Sequence, residues 1–450
     1  MKFLWVAAVC LLFFSGCAHV EVKQDRESGL KAYAQGLIYE QAEKQDEAIE
    51  YYKRALREAG ESSHVYVKLG NLYLKKQDTV NAKDCFFRAV KIDAGKSEAF
   101  FGLGVAYLVE KNNRLAAKYM EKGLALDPEN QSVRMLLCDI YVGMNMLKEA
   151  LAHYRILLDA YPGNYVLHYN NGNILERLGD VRSAEKSYLK TVELADFFWK
   201  GHFSLGLLYS KQGRNEDAIR HFVRAIEINP KDSISYSLLT GIYYREGNNE
   251  KAKYYLNKAI DNGFKTSEFY NFLGIIATEE EDYAKAEEFL REGIKIKDTS
   301  TGRFYLGTLY EKTGDKEKME TEMRRALEID PDDALVLNYL GYTYLTQDRN
   351  IEEAYRMIKK ACSIEPDNGA YLDSLGWAYY KMGKYDTARE YLERAAEMEK
   401  DAEIFEHLGY LYTKLEDYAR ALYWFVRSYE IGGDADLLKI IEEVKQKNLK

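Results

Sequence analysis

The chain has 450 residues, 30% of them charged, with 63 basic and 72 acidic side chains and a net charge of −9. The two signs are interspersed and no basic stripe stands out, which argues against nucleic acid as a partner. Only five prolines occur, while Ala, Leu, Glu, Lys and Tyr are abundant, so the composition describes one long helical object rather than about three separate globules.

The first element, "MKFLWVAAVCLLFFSGC", has one lysine and then an apolar run from Phe3 to Phe14. That run falls short of the roughly 20 residues a spanning helix needs and reads as a secretory signal. Its end, Phe14-Ser15-Gly16-Cys17, resembles the bacterial lipobox. The resemblance implies that residues 1–16 are a lipoprotein signal peptide and that Cys17 carries the lipid. Ala18, where inner-membrane lipoproteins tend to have aspartate, implies the outer membrane, with the protein facing the periplasm. Each buried CH₂ of an acyl chain such as palmitate contributes about 0.8 kcal/mol to such an anchor. Residues 17–28 form a lipidated N-terminus and short tether; Ala18 to Ser28, fully extended, reach roughly 36–40 Å. Cys85, Cys138 and Cys362 are far apart and lack C-x-x-C spacing, as expected of buried packing thiols.

From Gly29 the sequence repeats itself every 33 to 35 residues. Position eight of the repeat is glycine at Gly36, Gly70, Gly104, Gly172, Gly206, Gly274, Gly307, Gly341, Gly376 and Gly409, with Cys138 and Thr240 in the other two units. Position twenty is alanine in nearly every unit, and all five prolines fall at position thirty-two, where a helix must stop. Glycine at position fifteen, as in Gly179 and Gly383, suits a left-handed helix cap. Each unit is therefore helix–turn–helix. Twelve of them occupy 29–62, 63–96, 97–130, 131–164, 165–198, 199–232, 233–266, 267–299, 300–333, 334–368, 369–401 and 402–435. Residues 436–450 follow as a capping helix, with Leu437, Leu438, Ile441 and Val444 assigned to one apolar face.

Small residues at eight and twenty and proline at thirty-two resemble the tetratricopeptide repeat. The resemblance implies an all-α, right-handed α-solenoid of about twelve stacked units, with small residues where paired helices cross. It also implies that positions two, five, nine, twelve and thirteen of each first helix line an inner, concave surface.

Motifs for catalysis are missing. G-x-S-x-G, a Walker loop, H-E-x-x-H and C-x-x-C do not occur, so neither an enzyme, a cofactor nor a metal site is expected. His168 and His202 share position four of adjacent units, and nothing nearby in sequence supplies further metal ligands. Two candidate grooves remain. Val67, Phe101, Val105, Leu108, Met135 and Val142 form an apolar one suited to a peptide segment or amphipathic helix. Tyr342, Trp377 and Tyr410 form an aromatic ladder, with Tyr380 beside it and Asn338, Asp373 and Glu406 flanking it. It suits a basic peptide or, alternatively, the stacked sugar rings of a polysaccharide or cell wall. The resulting expectation is a membrane-anchored scaffold that binds protein partners of the bacterial envelope in assembling a pilus, secretion or polysaccharide-export machine.

Overall fold

A computed structural model describes residues 25–433 and 435–448. The signal segment, Cys17 and the first part of the tether lie outside the described residues. The chain divides into two compact units, Met1–Ile228 and Asn229–Lys450. Among the described residues every regular element is a helix.

The first unit is six helical hairpins: α1 (25–41) with α2 (Gln45–Ala59), α3 (Ser63–Lys75) with α4 (Thr79–Ile92), and α5 (Ser97–Val109) with α6 (Asn113–Leu126). They continue as α7 (Gln131–Gly143) with α8 (Leu147–Ala160), α9 (Tyr165–Arg177) with α10 (Val181–Leu194), and α11 (Trp199–Lys211) with α12 (Asn215–Ile228). The second unit runs α13 (Ser233–Arg245), α14 (Asn249–Asp261), α15 (Ser267–Glu279), α16 (Tyr283–Ile296), α17 (Ser300–Lys312) and α18 (Lys316–Ile329). It ends with α19 (Ala334–Thr346), α20 (Ile351–Ile364), α21 (Gly369–Lys381), α22 (Tyr385–Met398), α23 (Ala402–Lys414), α24 (Tyr418–Gly432) and the single helix α25 (Ala435–Asn448).

Local chemistry explains each turn. Gly383, at position fifteen, has φ of 73°, the left-handed conformation that ends a first helix. Units without glycine there hold ordinary residues in the same conformation, as at Lys111 (φ 61°) and Glu281 (φ 61°). In many units position sixteen then caps the second helix, as where Asp78 accepts the backbone N–H of Asn81 and Asn112 that of Leu115, whereas Lys44, Met146 and Lys384 there make no such bond.

Position eight makes room for a large side chain at position twenty-four of the partner helix. A β-carbon built on Gly36 would lie 2.7 Å from the Tyr52 ring, and one on Gly70 2.6 Å from Phe86. The backbones also approach closely: the carbonyl of Ala354 is 3.1 Å from such a carbon on Gly341. Stacking buries the large residues in a core that no single hairpin could form.

Helix α25 packs an apolar face onto the core of the second unit, whereas α1 of the first unit carries polar residues at positions that are apolar and buried in α3. In α25, Leu437, Ile441 and Val444 are buried. Leu438, assigned by sequence to the same face, is exposed because it lies about 100° around the helix from Leu437. In the first unit, α1 carries Lys31 and Gln35 at positions three and seven, where α3 has the buried Val65 and Leu69. Ile38, at position ten, is 56% exposed, whereas its equivalents Leu72 and Ile276 are 1% and 0% exposed.

Candidate functional site

In the second unit the first helices line two separate surface regions. Between α15 and α17 lie two cavities of about 260 and 210 Å³ that share Ile275 and Tyr305. Glu268, Asn271, Ile275, Thr278 and Glu279 of α15, at positions two, five, nine, twelve and thirteen, all line these cavities. Phe272, Leu290, Phe304 and Tyr305 supply the rest of the apolar wall, with Thr308 and Lys312 at its polar edge. Sequence reasoning did not single out Ile275 or Tyr305, although position nine was their signal for the former.

A third cleft, of about 200 Å³, is bounded by α19, α21 and α23. It brings together Asn338, Tyr342 and Asp373 of the expected site with Tyr339, Ser374, Glu399, Asp401 and Glu403. No lysine or arginine among the described residues lines it. Glu406 is half-buried nearby on α23, and Tyr380 and Tyr410 stay off the cleft wall.

Behind this cleft is a residue that sequence reasoning missed. His407 donates from Nδ1 to both carboxylate oxygens of Asp373, each 2.9 Å away, and each residue is only 5% exposed. Burial disfavours the charged imidazole, but Asp373, Glu403 and Glu406 together outweigh it and raise the pKa of His407. Tyr342 donates to Glu403, and burial followed by that bond holds its phenol well above the usual range.

The ladder is corrected by the same cluster. Trp377 is stacked on Tyr380 at 4.4 Å between ring centroids and on His407 at 4.0 Å, with interplanar angles of 6° and 15°. Two rings so close to one indole clash unless they take opposite faces, so both faces of Trp377 are occupied. Tyr410 is tilted 46° to it at 6.1 Å. The ladder therefore offers no free indole face to a sugar.

The apolar groove of the first unit is also corrected. Val67 and Phe101 belong to the packed core, Val105, Leu108 and Val142 are half-buried, and Met135 is exposed. Position five is a wedge, pressed between the two helices of a hairpin against a small residue at position twenty-seven. A β-carbon on Gly123 would lie 2.3 Å from the Phe101 ring, and one on Gly293 2.6 Å from Asn271 Oδ1.

His168 and His202 are not brought together. Each hydrogen-bonds a carbonyl six residues back, of Pro162 and Asp196 respectively. No cluster of three or more His, Cys, Asp or Glu among the described residues is placed to hold a metal ion. No helix among them is long and apolar enough to cross a membrane. Cys85, Cys138 and Cys362 are free and buried, and burial pushes the Cys85 and Cys138 thiols up to about 12.

Tetratricopeptide repeat models match residues 32–61, 63–96, 97–130, 135–197, 199–232, 267–299, 304–333 and 374–436. Sel1 repeat models match 233–264 and 334–364. A TPR repeat-containing protein of Methanocaldococcus jannaschii is 23% identical over 46% of this chain and 32% of its own length. A TPR repeat-containing protein of Pseudomonas aeruginosa is 29% identical over 26% of this chain and 20% of its own. The chain thus spans about a third or less of these curated relatives. Among solved structures, yeast Tom70 aligns with 94% of this chain and 96% of its own at 16% identity and a TM-score of 0.43. YrrB, described as a TPR protein with an unusual peptide-binding site, aligns with 41% of this chain and 95% of its own at 21% identity and a TM-score of 0.37.

Proposed function

The chain belongs to the tetratricopeptide repeat family, and on that premise we propose that it is an envelope scaffold which grips protein segments on the first-helix face of its second unit. One observation carries this: the face is mostly apolar between α15 and α17, through Phe272, Ile275 and Tyr305 with Glu268, Glu279 and Lys312 among them, and the cleft of Glu399, Asp401 and Glu403 is acidic, with no lysine or arginine among the described residues that line it. An extended segment with apolar residues at one end and lysine or arginine at the other complements it. Exposed carboxylates confer selectivity and salt dependence, while the buried aromatic contacts supply most of the affinity.

The lipobox-like end of the signal segment supports anchoring through lipid on Cys17, and Ala18 supports the periplasmic side of the outer membrane. A scaffold held there meets partners at high effective concentration, which suits assembly of a pilus, secretion or polysaccharide-export machine. Cys17→Ala tests the anchor: the protein then leaves the membrane fraction. Co-purification from envelope extracts tests the groove. Proteins retained by the wild-type chain are lost with Glu399→Lys/Asp401→Lys; equal retention by both chains overturns the assignment of this face.

A further inference from the structure

The hairpin of α11 and α12 holds two histidines against each other. His202 on α11 is 5% exposed, and its Nδ1 lies 3.0 Å from Nδ1 of His221 on α12. The Nε2 of His202 is 3.2 Å from the carbonyl oxygen of Asp196 and 3.3 Å from its carboxylate. That contact assigns the His202 proton to Nε2, so Nδ1 of His202 accepts and Nδ1 of His221 donates. Two neutral rings satisfy the arrangement. A first added proton is taken at Nε2 of His221 and puts a charge in the packed hairpin with the bond kept, and a second, on Nδ1 of His202, sets two N–H groups against each other.

We propose that this histidine pair makes the α11–α12 hairpin an acid-labile joint in the first unit, packed at neutral pH and loosened as the rings gain protons. Its surroundings do not compensate the added charge. Asp196, from the turn before α11, is already held by Arg224 of α12. Asp217 of α12 is bound by Arg214 and Arg220. Glu185 of α10 accepts from Tyr209 and Arg214, and Tyr209 packs against His221 with ring centroids 5.5 Å apart. The neighbouring core is also unusually polar. Ser187, Thr191 and Ser204 are buried, and Asn171 occupies a position that is leucine in most units, its Oδ1 buried without a partner. Less apolar packing is therefore available to hold the joint closed. Burial lowers the pKa of His202, and burial followed by His202 lowers that of His221 to about 4. A folded-state pKa below the unfolded value of about 6.5 means that stability is complete above that value and declines as pH falls towards 4.

The next unit supplies a built-in replacement, since the same two repeat positions are Tyr236 and Tyr255 there. Hydrogen exchange of the full chain at pH 7.5 and 5.0, corrected for intrinsic rates, is the test. Opening of residues 199–228 is expected to rise about tenfold or more relative to 267–296, by linkage. His202→Tyr/His221→Tyr, or His221→Tyr alone, is expected to abolish that difference. Equal acid sensitivity of the two segments in the wild-type chain, or its persistence in either folded variant, overturns the proposal. The wild-type comparison decides even if both variants fail to fold.

Discussion

Tyr342 and His407 touch across an intervening repeat. The phenol oxygen of Tyr342, on α19, lies 3.3 Å from Nε2 of His407 on α23, and the phenol donates to Glu403 beside it. The helix between them, α21, contributes Asp373 and Trp377 to the same cluster. Three tiers are thus tied by one buried imidazole.

Removing the counter-charge should therefore loosen all three. Asp373→Ala leaves His407 buried and unpaired, at an expected cost of about 3–5 kcal/mol in a denaturant melt. Asp373→Leu/His407→Leu should recover much of the loss, because it removes both charges. Equal destabilisation by the single and double substitutions would deny that the pair is coupled.

The same histidine sets an alkaline limit. Its folded pKa is raised, so its contribution is complete below the unfolded value of about 6.5 and is lost as pH rises through the folded pKa. Melts of the second unit's tryptophan signal at pH 6 and pH 9 should show lower stability at pH 9. His407→Gln should flatten that difference.

Gly376→Leu should cost about 1–3 kcal/mol, since even a β-carbon there falls 2.7 Å from Leu392 Cγ and 3.1 Å from the backbone nitrogen of Leu392. Leu392→Ala in the same chain should restore part of it. A melt unchanged by Gly376→Leu would refute the close approach of α21 and α22.

Glutamate at position ten distinguishes the exposed site on α1 from the buried one on α15. Ile38→Glu should change stability by no more than about 0.5 kcal/mol, as on an open surface. Ile276→Glu buries a carboxylate and should cost several times more. Comparable costs would mean that α1 is covered.

Much of the fold was legible because it answers to sterics repeated in every unit. Only a small residue fits at position eight opposite Tyr52 or Phe86, and only a helix end admits the proline at thirty-two. Small residues also recur at position twenty-seven, at Ala89, Gly123 and Gly293 though not at Leu157, but their role is visible only once the position-five side chain is seen wedged against them. The candidate site was read in part. Asn338, Tyr342 and Asp373 do meet, since they occupy inner positions of neighbouring first helices. His407 and Glu403 escaped notice because their partners lie in other repeats, Asp373 one repeat away and Tyr342 two. Such contacts depend on the angle between tiers, which no local pattern encodes. Trp377 suggested an open platform for the same reason: the ring that covers its second face comes from the next tier.

The central claim, that partners bind the first-helix face, is tested most directly by a crosslinking map in cells. Photoreactive residues at Ile275 and Thr308 face the cavity between α15 and α17, while Phe87 and Tyr254 are exposed on second helices. Discrete protein adducts at the first pair and none at the second are the predicted outcome. Adducts of equal yield at Phe87 and Tyr254, or none at Ile275 and Thr308, would contradict it.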